Sequence, residues 1–283
     1  MTGSSGVLFV VGTPIGNLGD LSERARSALE SADVIACEDT RRTGRLLQLA
    51  GISKRPLLVA NEHTELARVP AVIERLARGE SVALVSDAGM PAVSDPGQRL
   101  VAAVVDAGYE VDVIPGPTAM TAALVLSGLP TDRFAFDGFL ARKGQHRTNE
   151  LIELANRSRT TVIYEAPKRV AKTLQDLAVA CGGERRVAVV RELTKLHQEV
   201  VRGKLVDVQR QLVDVEPRGE YVIVVDGAPP VDATVSDDQL REQLRESLAN
   251  GSTTRDAVSE VVTATGAAKR RVYELAVGLA ASG

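Results

Sequence analysis

The sequence contains few cysteine, histidine and aromatic residues, and each shortage excludes a kind of protein. Two cysteines, Cys37 and Cys181, among 283 residues are too few for a disulfide framework or a cysteine-rich zinc site. Three histidines, His63, His146 and His197, form no pair at helical spacing, so we expect no histidine-based metal site. With no tryptophan and 3% aromatic residues, recognition of nucleic acid by extensive base stacking is disfavoured.

The sequence also lacks a large excess of one charge and long apolar runs. A net charge of −3 disfavours a protein that coats nucleic acid nonspecifically, although it allows a local basic surface. No run approaches the roughly 20 apolar residues of a membrane span, and the N-terminus lacks a signal-peptide pattern. The length predicts about two domains at roughly 150 residues each. We therefore expect a cytoplasmic enzyme or binding protein without a membrane partner.

Residues 81–97 organise the rest of the chain. The apolar run Val82–Val85 predicts a buried strand of an α/β sheet, and the Gly- and Pro-containing residues 86–97 predict an open loop before a helix. Ligands bind at loops that leave the carboxyl ends of such strands. Asp87 could face a small molecule there. Alternatively, Asp87 and Asp95 only cap turns.

Other strands in the first half also end in polar residues. Residues 7–11 predict a strand whose glycine turn has the wrong spacing for a dinucleotide fingerprint or a P-loop, and Asp20 is predicted to cap the next helix. Two acids and two arginines follow residues 34–37, where they form either a structural ion-pair cluster or the lining of a cleft for a charged substrate. Asn61-Glu62-His63-Thr64-Glu65 follow residues 57–60. Polar residues thus follow three predicted strands, at residues 34–37, 57–60 and 82–85. This favours one shared rim of the sheet over three unrelated helix or turn caps. Strands alternating with helices predict a parallel sheet.

The second half predicts a less regular sheet followed by helices. Residues 134–139 alternate as in a half-exposed strand, and residues 142–147 predict a basic loop, either solvated or facing an anionic partner. Later strands are expected to include antiparallel members. Residues 226–230 read as a linker, and a break at Gly266 separates the last two of three short helices. These helices fit either a helix-turn-helix-like module or a plain helical cap.

Six motifs occur in one order along the chain: residues 12–18, 38–41, 86–89, 94–97, 115–117 and 191–195. Together they resemble the tetrapyrrole-methylase superfamily of S-adenosylmethionine (SAM)-dependent methyltransferases, and within it the branch that methylates small-subunit ribosomal RNA. Met90 replaces the threonine that is usual in relatives, and residues 61–65 are a variant of a His/Asn-richer segment.

The resemblance implies a two-domain tetrapyrrole-methylase-like α/β fold with a C-terminal helical appendage. We expect domains at residues 1–115 and 116–228, with the appendage, a candidate RNA-binding module, at residues 235–283. It further implies a homodimer that holds SAM between the α/β domains and methylates the ribose 2′-hydroxyl of a cytidine in 16S rRNA or the small ribosomal subunit. The implied cofactor contacts are Pro14, Asp87, Met90, Thr118, Ala119, Ala166, Leu193 and Gly219.

The chemistry of methyl transfer fits a site without a metal or a catalytic cysteine. Displacement at a sulfonium releases a neutral group, so positioning supplies most of the rate. A ribose hydroxyl still needs a proton acceptor, for which Glu38, Asp39, His63 and Glu192 are the candidates. We expect Glu38 or Asp39 to activate the hydroxyl while Arg41 orients the RNA. The expected RNA contacts are Arg41, Arg142, Lys143, Arg147, Arg191, Lys195, Lys269, Arg270 and Arg271.

Two alternatives remain open from the sequence. The same fold could methylate a ring carbon of a tetrapyrrole, although the helical appendage and the basic stretch disfavour this. The chain could also be a SAM-sensing nucleic-acid-binding protein that binds SAM without turnover.

Overall fold

The computed structural model describes residues 6–229, 236–265, 267 and 269–280. The chain divides into two compact units. The first comprises residues up to Ala155 together with Arg159–Asp226, and the second comprises Asn156–Ser158 together with the residues from Gly227 onward. The first unit contains two five-stranded sheets, and the second contains three helices. Among the helices of the described residues, none is both long and apolar enough to cross a membrane.

The first sheet is entirely parallel, as the alternation of strands and helices predicts. Its strands are β1 (Val7–Val11), β2 (Val34–Cys37), β3 (Leu57–Val59), β4 (Val82–Val85) and β5 (Glu110–Ile114). They are arranged in the order β3-β2-β4-β1-β5, so their carboxyl ends meet at one edge. Helices cover both faces, as apolar parallel strands require. These helices are α1 (Glu23–Ser31), α2 (Thr40–Leu49), α3 (Glu65–Ala77) and α4 (Gln98–Asp106).

One helix start in this half differs from the prediction. Asp20 ends a single 3-10 turn, and the hydroxyl of Ser22 caps α1 by accepting a hydrogen bond from the backbone N–H of Ala25 at 3.1 Å. The prediction for Asp20 was wrong because two suitable caps stand two residues apart, and serine is as good a cap as aspartate.

The second sheet is mixed. Its strands are β6 (Phe134–Phe139), β7 (Thr160–Glu165), β8 (Arg186–Arg191), β9 (Glu199–Lys204) and β10 (Tyr221–Val225). They are arranged in the order β6-β7-β10-β8-β9, and β10 runs antiparallel to both of its neighbours. The start of β10 therefore lies at the edge where β7 and β8 end. The helices of this half are α5 (Ala119–Ser127), α6 (Gly144–Asn156), α7 (Val170–Cys181) and α8 (Leu205–Leu212).

The prediction of a basic loop at residues 142–147 was wrong in its second half. Helix α6 begins at Gly144, and the side chain of Arg147 points inward, where it is only 8% exposed. Its guanidinium donates two hydrogen bonds to Asp176, at 3.0 and 2.9 Å, and one to the hydroxyl of Thr173 at 3.0 Å. An arginine that bonds a distant acid cannot be told from a surface arginine by local composition.

The two sheets share an apolar cluster at their common edge. Ile15, from the turn after β1, packs with Leu124 of α5 and with Val190 and Val222 of the second sheet. Residues that follow strands of the first sheet thus complete the core of the second. The division at residues 115 and 116 stays a prediction, because both sheets belong to one compact unit.

The helical unit has a core of its own. Its helices are α9 (Asp237–Ala249), α10 (Thr254–Thr265) and α11 (Lys269–Ala280). Leu240, Leu244, Val258 and Val272 are buried together, and Arg271 forms a 2.7 Å ion pair with Asp237. The three predicted helices are confirmed. The expected break at Gly266 and the end of the expected linker at Pro230 lie outside the described residues.

Candidate functional site

A cavity of about 360 Å³ lies at the edge where strands of both sheets end. The first sheet contributes the loops after β1, β4 and β5. The second contributes the last residue of β6, the end of β7, the loops after β7 and β8, and the start of β10. The volume falls in the range of roughly 300–1,000 Å³ that is typical of small-molecule sites. Its lining consists of Ile15, Ala88, Gly89, Met90, Val93, Ser94, Asp95, Thr118, Ala119, Phe139, Tyr164, Glu165, Ala166, Pro167, Leu193, Gly219, Glu220, Tyr221 and Val222.

Backbone contacts between the loops of the first sheet explain their glycines. A Cβ atom on Gly12 would lie 2.6 Å from the Cα of Gly116, so the loops after β1 and β5 pass in direct contact. The backbones of Thr13 and Gly89 exchange hydrogen bonds of 2.8 and 3.1 Å. Three strand-end loops are thereby fixed to one another beside the cavity.

The loop after β4 is strained, and a buried carboxylate holds its far end. Ala92 and Ser94 have φ angles of 68° and 60°, in the left-handed region that side chains disfavour. Oε1 of Glu65, a residue that is 4% exposed, accepts the backbone N–H groups of Gly97 at 3.1 Å and Leu100 at 2.8 Å. Glu65 therefore caps α4 from the first turn of α3 and fixes the end of this loop.

Four acids cluster at the rim of the first sheet, and their surroundings separate their pKa values. Hydrogen bonds from the Arg41 side chain hold the pKa of Asp39 well below its usual range. Burial raises the pKa of Glu38, and the charge of Asp87 adds to the effect. Burial likewise raises the pKa of Asp95 to about 6, with a further contribution from Glu38.

The carboxylate of the fourth acid, Asp87, is bonded to residues that follow a neighbouring strand. Burial raises its pKa, and an ion pair with Arg42 at 3.3 Å opposes that effect. Its other carboxylate oxygen accepts the backbone N–H of Asp39 at 3.2 Å. Asp87 thus connects the end of β4 with the end of β2.

Glu192 holds together two loops of the second sheet. Its backbone has a φ of 52°, and its Oε1 atom accepts hydrogen bonds from Lys195 Nζ at 2.9 Å and from the backbone N–H of Glu220 at 3.0 Å. The hydrogen bond from Lys195 lowers the pKa of Glu192. Gly219 is required beside it, since a Cβ there would collide with the Glu192 carboxylate.

Most of the expected cofactor contacts meet at the cavity. Pro14 and Asp87 lie beside it in sequence, next to the lining residues Ile15 and Ala88. Asp95 also lines the cavity, although it was not among the expected contacts; its Ser-Asp-Pro-Gly motif was the available signal. The expected contacts that line the cavity are Met90, Thr118, Ala119, Ala166, Leu193 and Gly219.

The expected catalytic and RNA-binding residues are more scattered. His63 is exposed and lies outside the cavity lining. Arg191 lies 3.6 Å from Glu199, and Lys195 pairs with Glu192 and Glu220. Five expected contacts are exposed: Arg41, Arg142, Lys143, Lys269 and Arg270.

The lining suits a ligand with an apolar ring and a positive charge. Ile15, Met90 and Tyr164 offer apolar surface, the Gly- and Pro-containing loops offer backbone groups, and Asp95 offers a carboxylate. Adenine and the cationic methionine part of SAM require these three kinds of surface. In the part of the chain that the structure describes, no three His, Cys, Asp or Glu residues are grouped as metal ligands.

The fold and this cavity define an α/β protein that binds a small molecule between the strand ends of two sheets. Residues 7–209 match the family model described as Tetrapyrrole (Corrin/Porphyrin) Methylases. The chain belongs to this family. The family is SAM-dependent, so the predicted family, fold and cofactor are confirmed.

Curated relatives match over most of the chain. One from Synechocystis sp., named ribosomal RNA small subunit methyltransferase I, is 44% identical over 279 residues, which cover 98% of this chain and 100% of the relative. One of the same name from Xylella fastidiosa is 49% identical over 230 residues, or 81% of this chain and 84% of the relative.

A solved structure matches the fold at lower identity. It is uroporphyrin-III C-methyl transferase from Thermus thermophilus complexed with S-adenyl homocysteine. Its TM-score is 0.55 at 21% identity, and the match covers 77% of this chain and 96% of that chain. At this identity the likeness concerns the fold alone.

Proposed function

We propose that this chain transfers the methyl group of SAM to the ribose 2′-hydroxyl of a cytidine in small-subunit ribosomal RNA. The cavity carries the proposal, because it joins apolar surface, Gly- and Pro-containing loops and a carboxylate where strands from two sheets end. The names of relatives at 44% and 49% identity support the RNA substrate. We include in the proposal a cytoplasmic location, where small ribosomal subunits occur, and the homodimer expected from the resemblance.

Bound SAM would supply a methyl group on a positively charged sulfur with a neutral leaving group. Asp95 is the carboxylate best placed to face that positive charge, since it lines the cavity and the other two lining carboxylates, Glu165 and Glu220, pair with Arg169 and Lys195. Met90, Ile15 and Tyr164 would exclude water from the slot, which strengthens the attraction between unlike charges. The chain's main contribution would be to hold donor and acceptor in line.

Glu38 is the acid best suited to accept the proton of the ribose hydroxyl. Its raised pKa makes it a stronger base than Asp39, which Arg41 holds in the ionised form. Glu192 is already engaged by Lys195 and by the backbone of Glu220. Glu38 lies outside the cavity lining, but its charge acts on the lining residue Asp95, which supports a position close to the cavity.

One experiment tests the whole proposal. The purified chain is incubated with methyl-labelled SAM and small-subunit RNA or small ribosomal subunits, and the digested RNA is examined by nucleoside mass spectrometry. We expect label in 2′-O-methylcytidine. Label on a base, or on another ribose, would change the acceptor assignment. Binding of SAM without transfer to either RNA form would contradict the proposed activity, and sedimentation tests the dimer separately.

A further inference from the structure

The few aromatic residues of this chain are unevenly distributed. Of four tyrosines and four phenylalanines, three form one cluster at the cavity. The rings of Phe136 and Phe139 meet the ring of Tyr164 edge to face, with centroids 4.9 and 5.7 Å apart. Phe139 lines the cavity and is 54% exposed. Much of its apolar ring is therefore open to solvent beside the cavity.

Three charged side chains, one buried and two partly buried, hold the backbone that follows Phe139. Arg169 donates to the carbonyl oxygens of Leu140 at 2.8 Å and Ala141 at 3.3 Å. Arg147 donates to the same Ala141 carbonyl at 2.9 Å, and Glu150 accepts the Ala141 N–H at 2.8 Å. Three charged side chains therefore fix one short stretch, so Phe139 is presented on a preorganised backbone.

The next two residues are exposed cations. Arg142 and Lys143 are exposed, and within the described part of the chain neither side chain has a hydrogen-bond or ion-pair partner. Two other expected RNA contacts, Arg41 and Lys195, differ in this respect. Arg41 pairs with Asp39, and Lys195 pairs with two glutamates. Arg142 and Lys143 are thus available for an anion from outside the protein.

An exposed ring followed by exposed cations matches the chemistry of a single-stranded nucleic acid, whose bases stack on aromatic rings while its phosphates bind cations. We propose that residues 139–143 form an RNA-binding element in which Phe139 stacks one nucleobase beside the acceptor nucleotide. Arg142 and Lys143 hold the adjacent phosphates. This inference rests on the proposed function, and it needs only one stacked base, which the low aromatic content allows.

The first experiment compares ring and non-ring variants of Phe139 in the full-length chain. Phe139→Leu keeps apolar bulk but removes the ring, whereas Phe139→Tyr keeps the ring. Phe134→Leu is the matched control, because Phe134 is an exposed ring of the same strand outside the cavity lining. The rate of methyl transfer is measured at saturating SAM against RNA concentration, and calorimetry gives the Kd for SAM.

We expect Phe139→Leu to raise the KM for RNA roughly tenfold, the loss typical of one stacked base, with kcat and the SAM Kd changed less than threefold. An effect on KM alone indicates lost binding of the substrate. Phe139→Tyr and Phe134→Leu should have a KM for RNA close to that of the unmodified chain. An unchanged SAM Kd also verifies that each variant is folded.

Two results would overturn the inference. An unchanged KM for RNA in Phe139→Leu would remove the stacking role. A raised SAM Kd with an unchanged RNA KM would assign the ring to the cofactor cavity instead. Failure of the proposed function is distinguishable, because the unmodified chain would then transfer no methyl group to RNA.

The second experiment measures the phosphate contacts through their salt dependence. Each phosphate bound to a single strand contributes about 0.7 to the slope of log affinity against log salt. We expect the double variant Arg142→Gln, Lys143→Gln to lower that slope by roughly 1.4. Lys54→Gln is the control, because Lys54 is exposed and precedes β3, at the opposite edge of its sheet. Equal slopes for both proteins would contradict the role of the two cations.

Discussion

At the scale of single residues, an ionised Asp95 lowers the stability of the fold and at the same time attracts a cationic ligand. Its pKa rises from the ordinary 3.8 to about 6, so the folded chain retains this proton to a higher pH than the unfolded chain. The associated stabilisation is complete below pH 4 and is lost as the pH rises through 6. A charged Asp95 at neutral pH therefore destabilises the fold while it attracts a cationic ligand.

Substitution of Asp95 by asparagine should separate these two effects. We expect Asp95→Asn to raise the free energy of unfolding by about 1–2 kcal/mol at pH 8. The rise in pKa from 3.8 to about 6 corresponds to roughly 3 kcal/mol, and solvent screening of this partly exposed side chain reduces that figure. The gain should vanish near pH 4. Urea denaturation at the two pH values measures it. A variant that is less stable at pH 8 would contradict a buried, costly carboxylate.

The same carboxylate predicts how SAM affinity depends on pH. As the pH falls from 7.5 to 5.5, Asp95 gains a proton and loses its attraction for the positive charge of SAM, so the Kd should rise several-fold. Calorimetric titrations measure this. In Asp95→Asn the Kd should be higher throughout and nearly flat over the same range. A parallel pH response in both proteins would assign the effect to another group.

Glu38 gives a kinetic prediction at the same scale. If Glu38 accepts the ribose proton, Glu38→Gln should lower kcat by roughly 10²–10⁴-fold, the usual contribution of a positioned base. The SAM Kd should change less than twofold. Asp39→Asn is the comparison, because it removes the neighbouring acid. A larger loss of kcat in Asp39→Asn than in Glu38→Gln would reverse the assignment.

Residues were predictable from the sequence where a local motif marks them. Met90, Thr118 and Ala119 were expected from the family resemblance of the motifs beside them, and the structure places them in the cavity lining. The roles of Glu65 and Arg147 were not predictable, because each side chain bonds partners about 30 residues away. No spacing in the sequence indicates that a carboxylate on one helix caps the next.

At the scale of elements, α3 and α4 depend on each other through Glu65. Glu65→Ala would leave two buried backbone N–H groups without an acceptor, at a cost of roughly 2–4 kcal/mol. Glu65→Gln keeps the acceptor oxygen and should recover at least half of that loss. Urea denaturation measures both variants, and exposed Glu62→Ala is the control.

The Glu65 variants should also affect SAM binding, because the capped segment ends the strained loop that contains Asp95. We expect a weaker SAM Kd in Glu65→Ala and a nearly normal one in Glu65→Gln. Normal SAM affinity in Glu65→Ala would show that the loop holds its shape without the cap.

Strands were more predictable than the elements between them. Apolar runs such as Val82–Val85 and Tyr221–Val225 are buried on both faces and match the structure. Helix α8 was missed, although Leu205, Val208 and Leu212 have helical spacing and are buried, because a strand leads into it without a turn. The position of β10 between two antiparallel partners depends on contacts distant in sequence.

At the scale of the whole molecule, the proposed function assigns SAM binding to the α/β unit and part of RNA binding to the helical unit. The cavity lies entirely in the first unit, so changes in the helices should leave SAM binding intact. Lys269 and Arg270 are exposed at the start of α11. Arg270 pairs with Glu274 one turn along the same helix at 3.0 Å, and Arg271 pairs with Asp237 of α9. Because the pair of Arg270 is the more exposed of the two and such surface pairs are weak, Lys269 and Arg270 are the cations that could meet RNA phosphates.

The double variant Lys269→Gln, Arg270→Gln tests this division in the full-length chain. We expect weaker RNA binding, with a salt slope reduced by roughly 0.7 for each lost contact to a single strand, and an unchanged SAM Kd. Arg245→Gln is the control, since Arg245 is an exposed cation of α9. Filter binding over a range of salt concentrations measures the slope. If the double variant and the control have the same slope, the helices serve as a cap, and the RNA is held by the α/β unit alone.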